Sequence, residues 1–336
     1  MKKQSKLLAL LLACAMTLAL SACGGNSATT STPAGSAAAT GDKTYTIGIC
    51  QLVQHNALDA ATKGFKDALT EKLGDKVKFD EQNAAGDSAT CATICNQFVS
   101  SNVDLIMANA TPALQAATAA TNSIPILGTS VTDYGTALSI ADWKGTTGTN
   151  VTGTADLAPL DKQAEMIKTL FPDKKNVGIL YCSAEPNSKY QSTEITKYLT
   201  DAGYTCTEYT FADSNDVAAV TKTACDESDV LYVPTDNTAA SCAESINNIA
   251  EPAKVPIVAG ESGICTGCGV ATLSIDYYDL GVVTGNMAYE VLVNGADPAT
   301  TEIQFAPKTT YQYMADRCEK LGVKVPSDYV AIEVEK

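Results

Sequence analysis

Short apolar runs alternate with amphipathic stretches along most of the chain, and the whole series occurs twice. From residue 45 the pattern predicts a strand at 45–50 (YTIGIC), a helix at 57–72, a strand at 77–82, a helix at 87–100, a strand at 104–108, a helix at 111–121 and a strand at 125–128. From residue 176 it repeats as strand 176–182 (NVGILYC), helix 188–201, strand 205–211, helix 215–226, strand 229–233, helix 237–250 and strand 256–260. Buried runs of this length separated by helical crossovers predict parallel sheets. In the first helix Leu58, Ala61, Phe65, Ala68 and Leu69 recur at the spacing of one buried helical face. The expected fold class is α/β, with two Rossmann-like lobes.

The segments between and after the repeats predict how the lobes are joined. TNVTGTADL (149–157) leads out of the first lobe toward a helix at 159–171, and GVATLSIDYYDLG (269–281) leads back. The helix that follows carries Leu280, Val283, Met287 and Val291 on one stripe and is expected to pack on the first lobe. A third crossing near 303–313 returns the chain to the second lobe. The predicted first lobe is then 43–153 plus about 277–303, the second 154–276 plus about 304–336, and three strands form a hinge.

In an open parallel sheet, ligands bind beyond the carboxyl ends of the strands, where helix N-termini present free N–H groups. The strings DLIMANATPALQAAT (104–118) and DVLYVPTDNTAAS (229–241) place Thr111 and Asp236 at that edge, once per lobe. Facing turns then make two walls of one cleft. Thr111, Ser130 and Ser188 supply hydroxyls at suitable turns for a carboxylate, while Asp236, Asp133, Glu185 and Asp276 are candidates for an ammonium group. Asp236 and Ser188 are equally suited to capping helices, and Asp276 to fixing the hinge. Tyr134, Trp143, Tyr181 and Tyr277 are candidate apolar walls. His55, the sole histidine, lies in the turn after the first strand and is expected to line the cleft or cap the helix near Ala57. One histidine excludes a histidine-rich zinc site and leaves no ordinary Ser/His or Cys/His pair except through His55.

Composition narrows the partners. The formal net charge is -15, and loss of the first 22 residues with Lys2, Lys3 and Lys6 takes it to -18, which argues against nucleic acid. The one arginine, Arg317, lies far from the predicted cleft turns, so a bidentate guanidinium clamp is not expected there. Residues 1–22 read as a signal peptide: a basic start, an apolar run at 7–20, and LSAC at 20–23. LSAC resembles the bacterial lipobox, which implies lipid on Cys23. Residues 24–42, nearly all Gly, Ser, Thr and Ala, read as a flexible tether spanning roughly 25 Å.

Several strings taken together carry a resemblance to a known family. IGICQLVQHNALDAATKGF (47–65), QNAAGD (82–87), DLIMANATPA (104–113), IPILGTSVTD (124–133), NVTG (150–153), EPNS (185–188), YVPTDN (232–237) and IDYYDLG (275–281) occur in this order. In them the chain resembles the tryptophan/tyrosine-type substrate-binding lipoproteins of ABC transporters, over nearly all of 45 to about 325. The resemblance implies a type I periplasmic-binding-protein-like fold and no enzymatic activity. It also implies an extracytoplasmic receptor, lipid-anchored to the cell membrane, that closes on an aromatic amino acid and delivers it to a membrane permease and its ATPase. The implied ligand-binding set is His55, Asn83, Thr111, Ser130, Asp133, Tyr134, Glu185, Asn187, Ser188, Thr235, Asp236, Asn237 and Asp276, with no cofactor or metal. One departure is that Tyr134 follows Asp133 where the family usually has proline, and 134–145 is unfamiliar.

The twelve cysteines support a competing view. CTGC at Cys265 and Cys268 has the spacing of a redox pair, and Cys91 and Cys95 fall one helical turn apart; either pair with two more thiols could make a zinc site. Against this, CTGC sits between glycines in what reads as a loop rather than at a helix N-terminus that would favour a thiolate. Most of the others lie in core-like segments and read as small buried hydrophobes. A thiol redox or metal-binding lipoprotein and a sensory ligand-binding lipoprotein remain as alternatives.

Overall fold

The computed structural model describes residues 43–333. The leader, the Cys23 site and the tether lie outside the described residues. In the first lobe, β1 (Tyr45–Gln51), α1 (Asn56–Leu73), β2 (Val77–Asn83), α2 (Ser88–Ser100), β3 (Leu105–Asn109), α3 (Thr111–Ala120), β4 (Ile126–Val131), α4 (Tyr134–Leu138) and β5 (Val151–Ala155) follow one another. The second lobe runs through α5 (Leu160–Leu170), β6 (Asn176–Cys182), α6 (Pro186–Asp201), β7 (Thr205–Phe211), α7 (Val217–Glu227), β8 (Val230–Val233), α8 (Asn237–Ser241), α9 (Ala243–Ala253), β9 (Ile257–Ala259), α10 (Ser262–Gly267) and β10 (Ala271–Ile275). The chain then forms α11 (Tyr277–Asn294), β11 (Gln304–Phe305), β12 (Thr309–Tyr313), α12 (Ala315–Leu321) and β13 (Val330–Ala331). No helix among the described residues is long and apolar enough to cross a membrane.

Two sheets result, ordered β11-β5-β4-β3-β1-β2 and β13-β12-β10-β9-β8-β6-β7. Every pairing in the first is parallel; in the second only β10 with β12 is antiparallel. The central strands β3, β4 and β8 are buried along their full length, as strands covered on both faces must be. Between β5 and α5, β10 and α11, and β11 and β12 the chain passes from one sheet's territory to the other's.

α11 packs on α1 at backbone distance, and three glycines permit it. A Cβ on Gly64 would collide with the Tyr278 carbonyl, one on Gly281 with the Ala61 carbonyl, and one on Gly285 would stand 2.7 Å from the Phe65 carbonyl oxygen. This seam fixes α11, whose N-terminus begins at the hinge, onto the first lobe.

Three expectations change. The single helix predicted over 237–250 is two, α8 and α9, meeting at Cys242, whose φ of -111° and ψ of 12° break the helical path. CTGC is not a loop: Cys265 lies inside α10 and Cys268 caps it. This short helix, with two glycines, is stabilised at both ends by side chains remote from it or flanking it. Glu261 accepts from the backbone N–H groups of Gly263 and Ile264. Arg317 donates to the carbonyls of Cys265, Thr266, Gly267 and Gly269 at 2.6–3.3 Å. The third change concerns Tyr134. It is fully buried in the first lobe's core, donates to the Thr154 carbonyl at 3.1 Å and stacks on Trp143 at 6.2 Å. Gly128 and Gly153 leave the slot its ring occupies, so it does not present a wall to the cleft.

Candidate ligand-binding cleft

The strand ends that border the cleft use unusual backbone geometry. Ala110, between β3 and α3, has φ +94°, and Ser130, near the end of β4, has φ +54° where the β4–β5 register slips. Non-glycine residues held in this region store strain that the surrounding fold must sustain, and such positions concentrate at functional sites. In the second lobe Gly260 lets the β9 and β8 turns touch, since a Cβ there would stand 2.6 Å from Thr235 N.

Among the described residues, two hydrogen bonds cross between lobes. Gln191 on α6 donates through Nε2 to Thr132 Oγ1 at 3.0 Å, and His55 Nε2 lies 3.3 Å from Asn237 Oδ1. The first continues into the hinge: Thr132 Oγ1 donates to Asp156 Oδ1 at 3.3 Å, and Tyr277 donates its hydroxyl proton to Asp156 Oδ2 at 2.9 Å. Asp156 belongs to the first crossing and Tyr277 to the second. One chain of side chains thus connects both lobes and two hinge strands.

Carboxyl groups are concentrated here. Glu185, 3% exposed, accepts from Asn237 N and Nδ2, Thr238 N and Oγ1, and Asn187 Nδ2 at 2.6–3.2 Å. Asp236, 1% exposed, accepts from Ala239 N and Cys182 N, each at 2.7 Å, tying β6 to α8. Burial, and then the Glu185 charge, push Asp236 up to about 8. Burial raises Asp156 to about 6 against the pull of Tyr277 and Thr132, and Glu261 to about 7 against its two N–H donors. Burial also lowers His55, favouring the neutral ring.

Other predicted positions serve the frame. Asp133 caps α4 by accepting from Thr136 N at 2.7 Å, and Asp276 caps α11 through Asp279 N at 3.0 Å. Asn83 is exposed and accepts from Ala85 N. Ser188 is buried against Asn187, and the Thr235 backbone meets both Asn187 and Gln191. Conversely, Thr111 Oγ1, Ser130 Oγ, Asn187 Oδ1 and His55 Nδ1 are buried polar atoms without a partner. Thr111 opens α3, Ser130 lies near the end of β4, Asn187 lies in the first turn of α6 and His55 caps α1, all at the strand-to-helix edge of their lobes. Groups of this kind cost free energy unless something supplies their hydrogen bonds.

Besides a 520 Å³ groove that runs from α1 past the start of α11 to β12, with Lys308 on its wall, two smaller cavities open between the lobes. One, 230 Å³, has Leu52, Val53 and Pro112 on one side and Cys182, Glu185 and Thr238 on the other. A second, 280 Å³, is bounded by His55, Asn56, Ser241 and Glu244. Neither wall contains lysine or arginine. Sequence reasoning missed Gln191, Thr132, Asp156 and Glu261. Gln191 was within reach, because it falls four residues after Asn187 on the same helical face. Asp156, just past β5, continues the alternating polar series of that buried strand, Thr152 and Thr154, and that alternation is a usable signal.

Cys265 and Cys268 are both buried, and burial raises both thiols, Cys268 to about 12. That is opposite to the low-pKa, accessible thiolate a redox pair requires.

A family model described as ABC transporter substrate binding protein matches residues 46–334. A protein of Clostridioides difficile named tyrosine-binding protein is 40% identical over 265 residues, covering 77% of this chain and 76% of its own length. A Streptococcus pneumoniae ABC domain crystallised with L-Trp is 35% identical, with a TM-score of 0.81 over 85% of this chain and 97% of that one. The ligand-free, open structure of a Clostridium difficile substrate-binding protein with adhesive properties is 36% identical, with a TM-score of 0.66 over 87% and 100% of the two chains. At matched identity and coverage, the chain superposes better on the ligand-bound structure, in keeping with the hydrogen bonds that span its cleft. The fold, the cleft between its lobes and these matches lead to one conclusion: the chain belongs to the ABC transporter substrate-binding protein family.

Proposed function

We propose that the protein is the extracytoplasmic receptor of an ABC importer for an aromatic amino acid, tethered to the membrane by lipid on Cys23. The observation that carries this reading is the set of buried, unpartnered polar atoms along a cleft that also holds buried carboxyl groups. Thr111 and Ser130, with the N-terminal N–H groups of α3, receive the ligand carboxylate. Glu185, oriented by Asn187, Asn237 and Thr238 and backed by Asp236, receives the ammonium group. His55 and Asn237 close over the ligand from opposite lobes, and Ser188 and Thr235 hold the second wall in place. Leu52, Val53 and Pro112 supply apolar surface for the ring. The ligands named for the two relatives, tyrosine and L-Trp, support the aromatic class. The closed receptor then releases its amino acid to the permease, powered by the partner ATPase.

The test is a thermal-shift screen of the reduced mature protein against the twenty amino acids, confirmed by calorimetric titration. A ligand at 100 times its dissociation constant adds about 2.7 kcal/mol and raises the melting temperature by several degrees. Stabilisation by tryptophan, tyrosine or phenylalanine alone is expected. Stabilisation by a different chemical class instead would overturn the aromatic reading.

A further inference from the structure

The buried ionisable groups of the cleft, apart from His55, are all acids. Glu185, Asp236, Asp156 and Glu261 are each more than nine-tenths buried, and each is satisfied by neutral donors: backbone N–H groups, amides and hydroxyls. None takes part in a salt bridge among the described residues. Arg317 is engaged with the carbonyls at the end of α10, and Lys308 stands exposed on the groove outside the hinge.

Asn187 adds an independent observation. It is 5% exposed, its Nδ2 donates to Glu185 Oε2 at 3.2 Å, and its Oδ1 has no partner. An unpaired amide oxygen beside a carboxylate forms two acceptors side by side. That combination suits an N–H-rich cation and repels an anion. The unpaired groups of the other wall are the hydroxyls of Thr111 and Ser130, which can donate or accept and carry no charge.

We propose that the ligand class of this cleft extends to primary arylalkylamines, because the site's ionic complement is to the ammonium group and its carboxylate contacts are neutral. The inference rests on the aromatic amino-acid reading and extends it. Removing the carboxylate from the ligand leaves the Thr111 and Ser130 hydroxyls and the α3 N–H groups, all neutral, to be met by water, worth about tenfold in affinity. An acid without the ammonium brings an anion toward buried carboxyl groups that neutral donors already satisfy, a like-charge approach worth about 100-fold or more. The raised Asp236 supports this, since a neighbouring ammonium would favour its ionised form.

The experiment is calorimetric titration of the reduced mature protein with two matched series: L-tyrosine, tyramine and 3-(4-hydroxyphenyl)propionate; and L-tryptophan, tryptamine and indole-3-propionate. Each amine should bind within about tenfold of its amino acid and at least tenfold more tightly than the matched acid. A smaller gap, or no amine binding where the amino acid binds, overturns the proposal and leaves the amino-acid reading intact. Binding of the amines without either amino acid would sustain the proposal and overturn that reading. Failure of all six would overturn both. Glu185→Gln should weaken amine binding at least tenfold and, by removing the charge that repels an anion, should tighten binding of the matched acids; equal losses for both would count against the assignment.

Discussion

Replacing Thr132 with valine removes one hydroxyl from a methyl-sized site and breaks the link from Gln191 to the hinge. In the closed arrangement Gln191 Nε2 would keep only its longer contacts, 3.3 Å to the Thr235 carbonyl and 3.4 Å to that of Asn187. A net hydrogen bond of this kind contributes about 1–1.5 kcal/mol. In an open receptor water would replace Thr132 as the partner, so the loss falls on closure rather than on either lobe. A closure equilibrium weakened by that amount raises the apparent dissociation constant roughly 5- to 10-fold. Asp156 keeps its 2.9 Å bond from Tyr277, so ligand-free stability should fall by less than about 1 kcal/mol. Titration with the amino acid that the wild type binds, alongside thermal melts without ligand, separates the two effects. Thr132→Ser should restore most of the affinity. A Thr132→Val protein with wild-type affinity and a lowered ligand-free melting temperature would refute the latch, because the hydroxyl would then serve the fold alone.

Three further outcomes follow from the same geometry. Asp156, Glu261 and Asp236 hold their protons in the fold to about 6, 7 and 8, whereas an unfolded chain releases them near 4. The native state therefore binds more protons between pH 4 and 8, and ligand-free stability should fall as pH rises from 5 to 8; Asp156→Asn should reduce this fall by about 1.4 kcal/mol in pH-dependent melts, and an unchanged slope would count against the buried carboxylate. Gly281→Val drives a side chain into the Ala61 carbonyl and should cost about 1–3 kcal/mol, read as a melting temperature lowered by several degrees, while an unchanged melt would mean that the α1–α11 seam gives way freely. Arg317→Ala strips four carbonyls of their donor and should make Cys265 and Cys268 react faster with a thiol reagent in the native protein; wild-type reactivity would show that α10 does not depend on Arg317.

What the sequence made legible was whatever is encoded locally. The β1 and β3 runs, YTIGIC and DLIMA, are apolar because their strands are covered on both faces, and the apolar stripe of α1 is readable from five residues. α10 was not legible because nothing within SGICTG favours a helix. Its stability comes from Glu261 at one end and from an arginine far along the chain at the other. Tyr134 misled for a related reason. Its placement is decided by the absence of two side chains, at Gly128 and Gly153, that become its neighbours only after β4 and β5 pair.

The cleft divides along the same line. Positions set by topology, such as Thr111 at the start of α3 and Glu185 before α6, could be located from strand-to-helix turns alone. Which carboxyl groups are free to meet a ligand could not, because that depends on the donors the fold assembles around each. Asp133 and Asp276 are engaged by the first turns of their own helices, and Asp236 is held by the N–H groups of Cys182 and Ala239. Glu185 is held in another way: its donors come from α6 and from the start of α8, so its carboxylate sits between two elements and borders an interlobe cavity. An acid that caps its own helix can be replaced by serine or asparagine with modest loss. One that gathers two elements beside a cavity fixes both the shape and the charge of the wall, so Glu185, more than Asp236, is the residue on which affinity for a cationic ligand should depend.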